Sequence, residues 1–239
     1  EIIPTGDNAI TWVATLPINI DPLTVGPDSV DNDFGNMCFI NLEAKTLGFW
    51  SNPNGMALLA DNDPDWRNTL TALNLRTANG SDFDVAGGSF GTRKGNKVSG
   101  AYGGFRDWLL GGNATNMAYM LSVQTAAMTL NVNYGDPGVP GSAKVLAGDP
   151  PEACAVLGLD ENGIVSVNDL LATANQLLAG PGNLVVTSDS DLRSCMGFVK
   201  DVIDAANNNE NFVGADCTVT YSGEEESCAR SFGEPLVLQ

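Results

Sequence analysis

Residues 114–132, ATNMAYMLSVQTAAMTLNV, decide the fold, because their apolar side chains recur nearly all the way round a helical period. No charged residue lies between Asp107 and Asp136. Polar residues such as Asn116 and Gln124 interrupt the apolar run, which argues against a transmembrane helix. The pattern therefore predicts a central helix that is buried on most faces, with its methionines filling the core.

Two amphipathic helices are predicted after the central one. In residues 166–180 an apolar stripe follows Ser166, which has the spacing of an N-cap with an aspartate at the N3 position. Residues 188–207 repeat this signal, beginning at Ser188. A short loop joins the two segments, which favours an antiparallel pair. The predicted buried stripes are Val167, Leu170, Leu171, Ala174, Leu177 and Leu178 in the first helix and Leu192, Cys195, Met196, Val199, Val202, Ile203 and Ala206 in the second.

The two ends of the chain have the patterns of β-strands. Residues 8–20 alternate with period two, and Pro17 favours an edge position or a bulge. Residues 217–222 and 228–232 flank an acidic turn and predict a hairpin. The N-terminal strand has one apolar face, formed by Ile10, Trp12, Ala14, Leu16, Ile18 and Ile20.

These patterns predict an α+β fold, with a mainly helical body and β-strands at the N- and C-terminal ends. We divide the chain into an N-terminal strand and linker at 1–37, a helical region at 38–213, and a C-terminal hairpin and tail at 214–239. Within the helical region, residues 86–104 form a Gly-rich loop that holds the only basic cluster of the chain, Arg93, Lys94 and Lys97.

The cysteines favour disulfides over metal binding, because they lack CxxC spacing and the chain has no histidine. Cys154 and Cys195 could bridge the two later helical segments, at about 4 kcal/mol of stabilisation. Cys217 and Cys228 could close the base of the C-terminal hairpin. With Cys38 the chain has 5 cysteines, so at least one thiol is free or pairs with another chain.

Composition excludes several classes of function. The formal net charge of -18 opposes binding to nucleic acid or to an anionic membrane. The absence of histidine removes Ser-His and Cys-His nucleophile pairs and the usual zinc ligand. A hydrolase using two acids stays conceivable, but no pair of carboxylates stands out from the rest. We therefore expect no enzyme and no small-molecule substrate.

One segment has part of the pattern of a calcium-binding loop. In residues 158–169 a glycine stands at the sixth place of an EF-hand-like or dockerin-like loop, but the first place is Gly158, which offers no side-chain oxygen. A turn at Asn162-Gly163 followed by a capped helix explains the same residues. The candidate ligands are Asp160, Asn162, Ser166 and Asp169.

Residues 45–55, KTLGFWSNPNG, place Phe49 and Trp50 immediately before a turn. The pair could form a flat platform for a sugar or could anchor the core where the helical region begins. Paired aromatic residues before a turn more often anchor a core, so we predict the second role.

The chain also resembles a known group of proteins. The segments that carry the resemblance are TLGFWSNPNG at 46–55, LNLRTANGSDFD at 73–84, FRDWLL at 105–110 running into NATNMAYML at 113–121, and AANNNENFV at 205–213. In order and spacing they resemble a widespread group of uncharacterised secreted bacterial proteins. The resemblance implies an exported protein and no particular activity. The Gly-rich basic insert at 86–104 departs from that group, in which the linker is shorter.

The sequence therefore predicts a secreted or cell-surface structural protein that assembles with copies of itself. A processed, exported chain would begin without methionine, as this one does at Glu1. The apolar N-terminal strand would pair within its own chain, for instance with the C-terminal hairpin, or be donated to another copy, and the basic cluster would meet the acidic surface of a neighbour. The alternative is a calcium-dependent or carbohydrate-binding module. Calcium is the one cofactor that the sequence raises.

Overall fold

The computed structural model describes residues 12–14, 36–85, 87–95, 97–188, 190–214, 227–229 and 235–237. The chain divides into two compact units. The larger unit is Asn41–Phe212, and the smaller unit combines Glu1–Ile40 with Val213–Gln239.

The described part of the larger unit contains seven α-helices, of which the fifth is the longest. They are α1 (Leu47–Trp50), α2 (Pro53–Asp61), α3 (Asp65–Thr71), α4 (Gly100–Leu110), α5 (Met117–Tyr134), α6 (Val167–Leu178) and α7 (Asp191–Asn207). A 3₁₀ helix, Glu152–Leu157, precedes α6.

Short strands complete the described structure. They are β1 (Trp12–Ala14), β2 (Asn36–Cys38), β3 (Arg93–Lys94), β4 (Lys97–Val98), β5 (Lys144–Leu146), β6 (Ile164–Ser166), β7 (Phe212–Val213), β8 (Ser227–Ala229) and β9 (Pro235–Val237). They form three two-stranded sheets, β1–β2, β3–β4 and β8–β9, and one three-stranded sheet in the order β6–β5–β7. The described residues are thus α+β, as the sequence predicts.

The predicted central helix is α5, which packs against α1, α3, α6 and α7. It begins at Met117, later than predicted, because Asn116 is its N-cap and accepts a hydrogen bond from the Ala118 amide at 3.2 Å. Asn113 accepts from the Thr115 amide in the turn before the cap. Of the 18 residues of α5, 13 are buried, including polar ones, so the interior must supply them with hydrogen-bond partners. Of its methionines only Met128 is fully buried, whereas Met117 and Met120 are half-buried.

The two later helices are α6 and α7, which pack on each other as well as on α5. Ser166 is the N-cap of α6, as predicted, and accepts from the Asp169 amide at 3.1 Å. The prediction of Ser188 as the start of α7 was wrong. Ser190 caps this helix by accepting from the Arg193 amide at 3.2 Å. Because α7 starts later, Leu192 falls in its first turn and is 40% exposed rather than part of the buried stripe.

The region predicted as helical also contains the sheet β6–β5–β7. β5 and β6 are antiparallel, with Val145 opposite Val165 and both side chains buried. These strands have two or three residues each, too few for a period-two pattern to be recognised. The sheet lies beside α6 because Ser166 ends β6 and caps the helix that follows.

The predicted loop at 86–104 is a loop only in part. Its middle is the hairpin β3–β4, and its last residues form the first turn of α4, which begins at Gly100. Glycine has low helix propensity, which concealed this start in the sequence. Burial compensates, because Ala101 and Tyr102 are 1% and 0% exposed.

Candidate functional site

The predicted assembly strand is described only in part. Ile10, Leu16, Ile18 and Ile20 lie outside the described residues, whereas Trp12 begins β1. β1 pairs antiparallel with β2 of the same chain, with Trp12 opposite Cys38. Among the described residues, the partner of this strand is thus residues 36–38, where the segment predicted as a linker meets the helical region. Most of the C-terminal hairpin, the other predicted partner within the chain, lies outside the described residues.

In the described residues, β1 and β2 form a sheet of only two strands, so β1 pairs along one edge. The amide and carbonyl groups of alternate residues in an antiparallel strand point to opposite edges. Among the described residues no strand pairs with the second edge of β1, and an unpaired edge offers backbone donors and acceptors to another strand. β8 and β9 form a second two-stranded sheet in the smaller unit.

The predicted C-terminal hairpin lies largely outside the described residues. Cys217 lies outside them, so the structure does not test a bridge from it to Cys228 in β8. The predicted bridge between Cys154 and Cys195 is present and joins the 3₁₀ helix to α7. Cys38 is 2% exposed and is also disulfide-bonded.

The three predicted basic residues lie together on the hairpin β3–β4, which we call the basic hairpin (residues 93–95, 97 and 98). Arg93 pairs with Val98, and Lys94 with Lys97. All three cations are exposed. Within the described residues none of these three cations forms an ion pair. The cations that do form ion pairs there are Lys45, Arg67, Arg76, Arg106 and Lys200.

Two glycines close the base of the basic hairpin. Gly91 has φ +118° and Gly100 has φ +71°, conformations that L side chains rarely adopt. A Cβ at Gly91 would lie 1.8 Å from the Ser99 carbonyl oxygen, so only glycine allows this close approach. The Ser99 amide donates to the Thr92 carbonyl at 3.1 Å across the same base.

The segment behind the basic hairpin is fixed to the core. The Tyr102 amide donates to the Phe90 carbonyl at 3.0 Å, and the two rings stack with centroids 5.6 Å apart. The Tyr102 hydroxyl donates to the carbonyl oxygens of Trp50 and Asn52, each at 3.0 Å. Burial raises the pKa of Tyr102 to about 12, and only nearby guanidinium groups oppose this shift. The hairpin thus projects from a rigid base.

The four candidate calcium ligands form local hydrogen bonds of a turn and a helix cap. The Asp160 carboxylate accepts from the amides of Asn162 and Ile164, each at 2.9 Å. Ser166 and Asp169 bond to each other at the start of α6. This is the turn and capped helix that the sequence offered as its alternative. The described residues contain no group of three or more His, Cys, Asp or Glu side chains that could hold a metal ion.

Trp50 is 0% exposed, so its indole cannot serve as a platform for a sugar. Phe49 packs edge-on against Trp50, and the Lys45 ammonium lies 5.9 Å from the Phe49 ring centroid. The predicted role of Trp50 as an anchor of the core is confirmed.

A chain of buried amides, which the sequence did not reveal, links Trp50 to the surface. The Trp50 indole N–H donates to Asn131 at 3.2 Å, and Asn131 donates to Asn207 at 2.9 Å. Asn207 donates to the Gln124 side chain at 2.9 Å, and Gln124 donates to the Asp204 carboxylate at 2.9 Å. Every donor points towards the carboxylate, so each bond polarises the next.

Arg76 is a second buried polar residue that the sequence did not identify as important. Its side chain is 2% exposed, and its guanidinium donates twice to the Leu178 carbonyl, at 3.0 and 2.8 Å. It also donates to Gly180 at 2.8 Å and Gly182 at 2.9 Å and pairs with Asp82 at 2.7 Å. Leu178 is the last residue of α6, and Gly180 and Gly182 follow it. The last carbonyls of a helix have no intrahelical donor, so Arg76 caps this helix from a distance.

Polar side chains in the segments that carry the resemblance to secreted proteins also form hydrogen bonds between distant parts of the larger unit. Asn209 accepts from the Ala44 amide at 2.8 Å and donates to the Ala44 carbonyl at 2.9 Å. Asn116 donates to the carbonyls of Ala78 at 3.3 Å and Leu184 at 3.1 Å. In these contacts, the residues that carry the resemblance maintain the fold.

No protein-family model, curated protein or solved structure matches this chain. No helix among the described residues is long and apolar enough to cross a membrane.

Proposed function

We propose that this protein is an extracellular structural or surface protein that assembles with copies of itself into a filament or a layer. The observation that carries the proposal is the edge of β1, which pairs on one side with β2 in a two-stranded sheet of the described residues. An edge strand is a template for a strand of another chain, and such pairing supplies main-chain hydrogen bonds along its length.

The sequence around β1 supports the same proposal. Residues 8–20 have six apolar residues at alternate positions, a pattern that favours a strand with one face covered. Two-stranded sheets are marginally stable in water, and both sheets of strands wholly within the smaller unit, β1–β2 and β8–β9, have two strands in the described residues. Pairing with a neighbouring copy would add strands and stabilise this unit.

Two observations favour a location outside the cell. The Cys154–Cys195 disulfide is typical of an oxidising compartment. The resemblance to secreted proteins implies export.

The calcium-dependent or carbohydrate-binding alternative receives less support. Trp50 is buried, and the oxygens of Asp160, Ser166 and Asp169 already take part in a turn and a helix cap. No contact of the described residues specifically favours this role over assembly.

The proposal is tested with proline substitutions in β1 of the full chain. Val13 and Ala14 are adjacent, so the N–H of one points to β2 and that of the other points to the opposite edge. We expect one of Val13→Pro and Ala14→Pro to abolish assembly in negative-stain images and sedimentation velocity without lowering the melting temperature of the larger unit. Val13→Thr and Ala14→Ser, which keep the N–H groups, are the matched controls and should assemble.

Deletion of residues 1–20 should also abolish assembly, and a chelator should have no effect on it. The proposal would be contradicted if the parent chain stays monomeric at every concentration. It would also be contradicted if both proline variants and the deletion variant assemble like the parent. Assembly that disappears with the chelator would support the calcium-dependent alternative instead.

A further inference from the structure

We propose that the basic hairpin of one copy binds an acidic patch on the larger unit of a second copy. The inference rests on the proposed self-assembly and adds a contact that is separate from the edge of β1. It assigns a partner to Arg93, Lys94 and Lys97, which are exposed and have no ion pair within the described residues.

The acidic patch is formed by exposed residues at one end of the hairpin β5–β6. The Ala147 amide donates to the Gly163 carbonyl at 2.9 Å, and the Gly163 amide donates to the Asp160 carbonyl at 3.0 Å. These bonds bring the chain leaving β5 next to the chain entering β6. A Cβ at Gly163 would lie 3.0 Å from the Gly148 carbonyl oxygen, so the chain just before Asp149 also meets this end. The carboxylates placed there are those of Asp149, Asp160 and Glu161, all exposed.

No ion pair of the described residues joins the basic hairpin to the acidic patch within one copy. Both surfaces therefore stay available for other copies. A contact between two different surfaces of the same molecule is heterologous, and it continues from copy to copy unless a ring closes. Such a contact is suited to a filament or a layer, whereas a contact between identical surfaces would stop at a dimer.

The basic hairpin is preorganised for this contact. Its base is fixed by the close approach of Gly91 to Ser99 and by the stacking of Phe90 on Tyr102. Little conformational freedom of its backbone is therefore lost on binding, which favours affinity.

The net charge determines how the contact responds to salt. Copies with a formal net charge of -18 repel each other, and at physiological ionic strength the screening length falls to about 8 Å. The long-range repulsion is then largely screened, whereas the closely apposed charges still attract. We expect this contact to be strongest at intermediate ionic strength and to weaken both in very low and in molar salt.

A charge swap in the full chain tests the inference. Lys94→Glu with Lys97→Glu reverses the charge of the hairpin, and Asp149→Lys with Glu161→Lys reverses that of the patch. Asp160 is kept, because its carboxylate accepts the turn amides of Asn162 and Ile164. We expect each double variant alone to associate at least about tenfold more weakly than the parent by sedimentation velocity, and an equimolar mixture of the two to regain association. Lys144→Glu is the matched control, because Lys144 is exposed on a strand and forms no ion pair among the described residues.

Failure of this inference is distinguishable from failure of the β1 proposal. If the proline variants lose assembly and the charge variants keep it, the inference is overturned. The edge of β1 then remains as the assembly contact. If the two charge variants regain association on mixing and the proline variants assemble normally, the inference is supported. Pairing through β1 is then contradicted. Binding of heparin that is lost in the Lys94 and Lys97 variant, without any change in self-association, would overturn the inference in favour of a polyanion.

Discussion

Replacement of Arg76 by methionine should destabilise the larger unit strongly, because it removes the distant cap of α6. The Leu178 carbonyl accepts two of the guanidinium bonds, and Leu178 is 0% exposed. A buried acceptor left without a partner costs about 1–3 kcal/mol. The carbonyls of Gly180 and Gly182 belong to exposed residues and can be hydrated, so each lost bond costs about 1 kcal/mol there. The expected total is about 3–5 kcal/mol, near the upper range for single substitutions.

Urea unfolding of Arg76→Met measures this loss, and two variants serve as controls. Asp82 is 75% exposed, so Asp82→Asn removes only a solvent-screened ion pair and should cost less than about 1 kcal/mol. Arg106→Met removes a partly exposed arginine that donates to one backbone carbonyl, that of Ser51, so it should cost less than Arg76→Met, which leaves three carbonyls without this donor. A cost for Arg76→Met as small as that of Arg106→Met would refute the capping role.

Three further predictions concern other parts of the larger unit. Because burial raises the pKa of Tyr102 to about 12 from 10.0, its contribution to stability is complete below pH 10 and is lost by about pH 12. Circular dichroism should show this alkaline loss, and it should be smaller in Tyr102→Phe. Replacement of Cys154 and Cys195 by serine opens a loop with a sequence separation of 41, so guanidinium unfolding should show a loss of about 4 kcal/mol, whereas an unchanged midpoint would contradict it. Calcium should not raise the melting temperature measurably, and a rise that disappears in Asp160→Asn would restore the metal-site hypothesis.

Local patterns predicted the elements whose signals lie within a few residues. The all-round apolar character of residues 114–132 indicated α5, and the Ser166 cap gave the start of α6 correctly. The error at α7 is of the same local kind, since Ser188 and Ser190 both precede an acidic residue and only the observed hydrogen bond from the Arg193 amide distinguishes them. Element types could therefore be predicted more reliably than their ends.

Long-range pairing could not be predicted. Arg76 bonds a carbonyl 102 positions away, and no local pattern indicates that partner. Nothing in the sequence indicated that this guanidinium is buried, because arginine is usually exposed. Asn131 did have a signal, because it lies in an uncharged segment that is apolar nearly all the way round and so must find partners inside.

In the candidate site too, features with a local sequence signal could be predicted, whereas features that depend on long-range geometry could not. The sequence located the three cations of the basic hairpin, but the hairpin itself depends on the close approach of Gly91 to Ser99, which only the backbone geometry reveals. The apolar alternation of residues 8–20 indicated a strand, and the pairing of β1 with β2 supplied its register. The candidate calcium loop fitted a spacing pattern, yet its side chains form the hydrogen bonds of a turn and a cap.

Hydrogen–deuterium exchange of the full chain, measured by mass spectrometry across a range of protein concentrations, tests the assembly role most directly. Pairing of the β1 edge with another copy would add hydrogen bonds to the amides on that edge and slow their exchange. We predict that protection of the peptide containing residues 12–14 rises with concentration, while peptides from α5 keep the same protection throughout. Protection of residues 12–14 that is independent of concentration, in a sample whose mass stays at the monomer value of 25.0 kDa, would contradict the account.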